Sequence, residues 1–265
     1  NSLLSFDGDR WREVSVNSGY AIRALDIAPS DRLWIGAMDE VGYIDRNDAG
    51  WENYHSLTAS LPSELLPIGE VWHVFGDDRG ATFVTRTHIL RWEAGAWSTW
   101  AFPGSRRMPA GRAGGRVWFH HAESGLWAMD TKGPSLQIPA SDIPPSFGLI
   151  SVVKADSSGL LLASGAGLHR YRNGIFERWS LQGSSFLNRH NGTAIIALPD
   201  GRLALGTLSG GLGLLSADGE GLEVINRTNG LSSDAVISLF VDRDEMLWAG
   251  LFTHVVAIET KNDVR

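Results

Sequence analysis

Short apolar segments separated by Gly- and Asp-rich turns recur along this chain about every 43 residues. The last copy is the clearest. Gly230-Leu231 leads into an apolar run at 235–241, an acidic turn at 242–245, and Leu247-Trp248-Ala249-Gly250. Leu33-Trp34-Ile35-Gly36 is the same signature near the start. Aligning on its tryptophan puts Trp34, Thr82, Trp118, Leu161, Ala204 and Trp248 in register, at steps of 48, 36, 43, 43 and 44 residues. A unit of this length, made of strands and not helices, buries its apolar faces by stacking on its neighbours. That is the pattern of β-propeller blades.

The repeat beginning at Ile150 shows how one blade is written. Residues 150–155 form strand a, and Asp156-Ser157-Ser158-Gly159 a turn. Leu160-Leu161-Leu162-Ala163 is strand b, apolar on both faces because a blade is covered on both sides. Residues 168–171 make strand c, Asn173-Gly174 a hairpin turn, and residues 175–179 the outer strand d. The repeat around Trp118 is the weakest, with little apolar character in its strand a near 108–112.

The ends bear on blade number. Residues 3–6 and 11–14 match strands c and d, whereas the last repeat has a, b and c (254–258) and no evident d. An open edge invites association. The expected solution is a single all-β domain over 1–265. It has six four-stranded blades, with seven as the alternative, and is closed by residues 11–14 completing the last blade. The chain begins without Met in mid-strand, so it is expected to be a piece of a longer protein.

Composition narrows the function classes. The formal charge is −7 and no Lys/Arg run stands out, which argues against a nucleic-acid partner. With no cysteine there is no disulfide, thiolate or Cys-ligated zinc chemistry. No apolar run reaches the ~18 residues of a membrane span, so direct membrane insertion is not expected.

Residues 229–250 resemble the two-component regulator propeller repeat. Gly230-Leu231, Val236, Leu239, Asp242, Leu247-Trp248 and Gly250 match its pattern, while Glu245 and Leu251 depart from it. Residues 164–168 and 206–212 match the later part. The resemblance implies the extracytoplasmic, periplasmic sensor region of a bacterial transmembrane signalling protein such as a hybrid histidine kinase. Several members of that family are thought to sense carbohydrate fragments. It therefore implies a small-molecule or oligosaccharide ligand, other domains of the same signalling protein as partners, and compatibility with a homodimer.

The chemistry-bearing residues favour binding over catalysis. Neighbouring strand residues face opposite ways, so His120-His121 does not make a metal site; no metal or cofactor is expected. Asp77-Asp78 and Asp242/Asp244 lie in a–b turns, where Asp normally caps its own backbone. No pair of carboxylates converges as acid/base hydrolysis requires. In an up-and-down blade the d–a and b–c connections share one end. The longest d–a connections are 55–69, 138–148 and 182–191. Long loops on a rigid scaffold are where binding concentrates. The b–c turns at that end carry Asp39, Glu40, Arg86, His88, His121, Phe252 and His254, the expected ligand-binding residues, with no catalytic residue among them. The expectation is a non-enzymatic sensing propeller. The alternatives are a propeller-type carbohydrate-active hydrolase or lyase and a protein–protein scaffold.

Overall fold

A computed structural model describes residues 2–6, 10–16, 21–47, 50–104 and 107–260. The strands follow one another as antiparallel hairpins. β1 (Ser2–Phe6) and β2 (Trp11–Ser15) form a two-stranded sheet. Blade I is β3 (Ile22–Ile27), β4 (Leu33–Ala37), β5 (Glu40–Asn47) and β6 (Gly50–Ser56). Blade II is β7 (Val71–Asp77), β8 (Gly80–Thr85), β9 (His88–Glu93) and β10 (Ala96–Ala101). Blade III is β11 (Ala110–Ala113), β12 (Arg116–His121), β13 (Gly125–Asp130) and β14 (Gly133–Pro139). Blade IV is β15 (Ser151–Asp156), β16 (Gly159–Ser164), β17 (Gly167–Arg172) and β18 (Ile175–Ser180), followed by α1 (Leu181–His190). Blade V is β19 (Gly192–Ala197), β20 (Leu203–Thr207), β21 (Leu212–Leu215) and β22 (Leu222–Ile225). Blade VI is β23 (Val236–Val241), β24 (Leu247–Leu251) and β25 (Val255–Ile258). The architecture is the expected all-β, six-bladed β-propeller.

The chain divides into two compact units. One holds residues 1–112 and 116–140, the other 113–115 and 141–265. In the first, blades I and II share a core of Trp34, Val41, Val74, Phe83 and Leu90. Blades II and III share Val84, Ile89, Phe102, Met108 and Phe119. Met108 is fully buried, so it supplies the apolar anchor that the short β11 lacks. In the second unit, Leu161, Leu168, Leu203, Leu205 and Leu215 join blades IV and V under Phe186 and Leu187 of α1. Leu212, Leu214, Val236, Leu247 and Ala249 join V and VI.

The repeated glycine has a packing reason. A Cβ on Gly36 would stand 2.5 Å from Val71 Cγ1, and one on Gly206 would stand 3.0 Å from Val236 Cγ1. Each glycine makes room for the first residue of the next blade's inner strand. Just after that residue the a–b ladder slips by one, between Ile22 and Ala24, Val71 and His73, Gly192 and Ala194, and Val236 and Ser238. Blade IV slips between Val152 and Lys154. These β-bulges insert Arg23, Trp72, Thr193, Ile237 and Val153 and re-aim their side chains. The a–b turns close as expected: Asp77 Oδ1 accepts from the Arg79 and Gly80 amides at 2.9 and 3.0 Å. Asp242 Oδ1 does the same for Asp244 and Met246, each at 2.9 Å.

Three expectations are corrected. Residues 11–14 do not complete the last blade: β2 pairs with β1, Leu3 opposite Val14 and Ser5 opposite Arg12. Among the described residues blade VI has three strands. Leu3, Val14 and Val16 instead cover Leu33, Ile35 and Ile44 of blade I. A hairpin partner a few residues away closes a far shorter loop than a partner at the other end of the chain. The packing expected of the Trp11 side chain falls outside the described residues. Residues 181–190, read as loop, are helical. Ser180 caps that helix by accepting the Gly183 amide at 3.0 Å, and Asn191 ends it at a left-handed φ of 56°. The alignment of Trp34 and Trp248 in the repeat predicts burial of both; Trp34 is buried, but Trp248 is only half-buried, its Nε1 donating to Asp242 Oδ2 at 2.6 Å.

Candidate functional site

Five of the seven expected site residues lie in the first unit, and internal contacts hold most of them. Asp39 sits in the β4–β5 turn at φ 53°. Its Oδ1 accepts the Gly69 amide at 2.7 Å and its own amide donates to the Gly69 carbonyl at 2.9 Å. It clamps the turn to the segment leading into β7. Glu40 accepts the Tyr54 hydroxyl at 2.7 Å. Burial, and then that carboxylate, push the Tyr54 phenol above its usual range. His121 is buried, with Nδ1 2.8 Å from Ser124 Oγ and Nε2 2.8 Å from the Pro103 carbonyl. Both ring nitrogens are taken up in holding a loop, so the structure gives this imidazole a structural place. His120 is buried too, where one exposed imidazole of the pair was expected. His88 is half-buried beside Thr87 Oγ1, and burial lowers its pKa. Arg86 is exposed on the β8–β9 turn and makes no hydrogen bond or ion pair to another described residue.

Phe252 and His254 lie in the second unit, on the β24–β25 turn. Phe252 is 73% exposed. His254 is exposed, with its ring nitrogens beside Ser232 Oγ and Thr253 Oγ1. The seven residues are therefore not one uniform set: Arg86 and Phe252 are open, and the others carry local bonds.

The second unit contains a site that these residues do not mark. A cleft of about 430 Å³ opens at the end of blade V where its d–a and b–c connections lie. Three segments wall it. From α1 come Gln182, Ser185, Phe186, Arg189 and His190; from the β20–β21 turn, Ser209 and Gly210. From β22 and the segment after it come Leu222, Val224, Asn226 and Asp234. The helix divides its labour by face. Gly183, Ser184, Phe186 and Leu187 are buried against the sheets, while Gln182, Ser185 and Arg189, at helical spacing, face outward.

Backbone bonds brace the walls. The Leu208 amide reaches the His190 and Asn191 carbonyls, both at 3.1 Å, and the Gly211 amide donates to the Asp234 carbonyl at 2.9 Å. The His190 ring lies against Gly210, where a Cβ would come within 2.5 Å of Cγ. Phe186 packs beside that ring, tilted by 52° with centroids 5.2 Å apart. Asp234 Oδ1 accepts the Arg227 amide at 2.8 Å. Arg189 is exposed and makes no hydrogen bond or ion pair to another described residue. The cleft thus offers an unpaired guanidinium, a carboxylate held by the Arg227 amide, several neutral hydrogen-bonding groups and an apolar floor. That combination recognises a small polar molecule in one orientation. The sequence marks 182–191 as a long d–a connection, but none of the expected ligand-binding residues lies in it.

No known protein family and no curated protein matches this sequence. Solved structures match the fold. A streptogramin B lyase is 13% identical with a TM-score of 0.74, over 96% of this chain and 85% of that one. The WD40 β-propeller domain of Doa1 is 15% identical with a TM-score of 0.68, over 98% and 86%. The extracellular domain of the hybrid two component system BT4673 from B. thetaiotaomicron is 14% identical with a TM-score of 0.53. It is matched over 92% of this chain, which spans 38% of that one. No helix among the described residues is long and apolar enough to cross a membrane. At these identities the likeness is one of fold: the chain is a β-propeller, an architecture it shares with lyases, WD40 domains and extracellular domains of two-component systems.

Proposed function

We propose that this chain is a non-enzymatic, ligand-sensing propeller from the extracytoplasmic side of a bacterial two-component signalling protein, in the periplasm of its cell. The observation that carries the reading is the braced polar cleft on blade V. It stands at the loop end of a sheet, where a scaffold presents binding groups without committing its core. Its lining includes one carboxylate, Asp234. Glycoside hydrolysis by the two-carboxylate route needs a pair at defined separation, so the lining supports recognition rather than that chemistry. The repeat at 229–250 supports the signalling context, with the remaining domains of the same protein as its partners. The open side chain Arg86 in the first unit marks one further turn where ligand could touch, and Phe252 with His254 in the second unit marks another.

Thermal shift against small polar ligands, oligosaccharides included, tests the reading, because a molecule that binds only the folded state raises its melting temperature. A binding ligand recovered unchanged after prolonged incubation is the expected result. Arg189→Ala is expected to abolish the shift and Arg86→Ala to leave it, which separates the cleft from the turns. Turnover of an oligosaccharide, or loss of a streptogramin B antibiotic on incubation, would overturn the non-enzymatic reading.

A further inference from the structure

The cleft carries charges of both signs that do not meet. Arg189 projects from α1 and Asp234 from the segment after β22; both line the same cavity, and no ion pair joins them. Among the described residues Arg189 has no carboxylate partner at all, and Asp234 spends Oδ1 on the Arg227 amide. The same cavity is lined by Phe186, Leu222 and Val224, with Asn226, Ser209 and Gln182 as neutral hydrogen-bonding groups. A guanidinium and a carboxylate oxygen that line one cavity without pairing with each other complement a molecule that carries its own carboxylate and ammonium at two ends. The guanidinium holds a carboxylate through two parallel N–H···O bonds, and the free carboxylate oxygen accepts from an ammonium.

The aromatic rings argue against a neutral sugar in this cleft. Sugars stack their C–H faces on open aromatic plates. Phe186 is 7% exposed, its ring packed against blade V, and the His190 ring is pressed on Gly210. Phe186 therefore offers no open plate, and the half-buried His190 ring already has Gly210 against it. The cavity, at about 430 Å³, falls within the ~300–1,000 Å³ of small-molecule sites. It has room for more than a single amino acid.

We infer that the blade V cleft binds a small zwitterion, a short peptide with free ends, with Arg189 on its carboxylate and Asp234 on its ammonium. This rests on the sensing reading above and names its ligand class. A library of free dipeptides and its N-acetylated, C-amidated counterpart, each screened by thermal shift, provide the test. The expected result is that at least one free dipeptide raises the melting temperature and its blocked form does not. Calorimetry with that dipeptide should then show affinity weakened about ten-fold or more by Arg189→Ala and by Asp234→Asn. Asparagine keeps the acceptor for the Arg227 amide, so the apo melting temperature should stay unchanged. No shift from any free dipeptide, equal shifts from free and blocked forms, or full affinity in Arg189→Ala would overturn the assignment. An oligosaccharide that binds in place of the dipeptides sinks the zwitterion and leaves sensing intact. Cleavage of a bound dipeptide sinks the sensing reading itself.

Discussion

Two tryptophans at the same place in the repeat do different work, and the difference is measurable. Trp34 is 1% exposed, between Tyr43 at 5.3 Å and Phe83 at 6.0 Å, centroid to centroid. Trp34→Ala should cost about 3–5 kcal/mol, because a large ring leaves a cavity that its neighbours cannot fill. Trp248 is half-buried and tethered to its own a–b turn through Asp242. Its removal loses one hydrogen bond and part of a ring, so Trp248→Ala should cost about 1–2 kcal/mol. Urea unfolding of both variants checks this; equal losses would mean that the repeat position, not the surroundings, sets the contribution. The sequence aligns the two indoles but carries no sign of this difference, because Phe83, which helps to cover Trp34, comes from another blade. The same holds for His121: Ser124 belongs to its own turn, but its other partner, Pro103, is invisible to a reading of one turn.

Elements were legible where a local rule decides them. The Asp-led a–b turns follow from side-chain capping of the adjacent backbone. The Gly that closes strand b, Gly36 or Gly206, answers the approach of Val71 or Val236 from the next blade. Helix α1 was not legible. Gly183, Ser184 and Ser185 are poor helix formers, and ten residues are too few to be stable alone. Packing of Phe186 and Leu187 makes the helix, together with Ser180. That hydroxyl accepts the Gly183 amide and donates to the Gly219 carbonyl at 2.7 Å. Ser180→Ala should therefore destabilise by about 1–2 kcal/mol, with hydrogen exchange accelerated first in 181–190. Uniform exchange across blades IV and V would sink the local account. The N-terminal hairpin is an element of the opposite kind, predicted as strands but docked elsewhere. Deleting residues 1–16 uncovers Leu33, Ile35 and Ile44 and should lower the melting temperature by several degrees. An unchanged melting temperature would show that the hairpin contributes nothing to blade I.

The acid response belongs to the whole molecule. Burial lowers His73 to about 4, aided by the Arg107 charge, and lowers His120 to about 4, aided by His121. Unfolded, both take up protons near 6.5. Between pH 6.5 and about 4 the unfolded chain binds more protons than the folded one, so stability falls with pH across that window. Asp156 extends the trend downward. The Ser158 hydroxyl, Lys154 and the Ser158 amide hold it at about 2, so its contribution is complete above 3.8 and is lost as pH falls toward about 2. Melting temperatures from pH 7 to 4 should fall steadily, and the double variant His73→Phe, His120→Phe should show a shallower slope. An equal slope would remove these histidines as the cause. At this scale the sequence was most informative: period, strand content and turn chemistry all converge on the propeller. The cleft stayed hidden because Arg189, Gly210 and Asp234 come together only after three separate connections fold against each other.

The division of α1 into a buried face and an outward face sets how this protein can change over evolutionary time. Substitutions at Gln182, Ser185 and Arg189 leave the apolar packing of Phe186 and Leu187 untouched, and the backbone brace to Leu208 depends on no side chain. Recognition can drift from one ligand to another through point mutations that the fold does not register. Lineages of this propeller would then diverge fastest at three positions of a single helix, while the residues beneath it stay fixed.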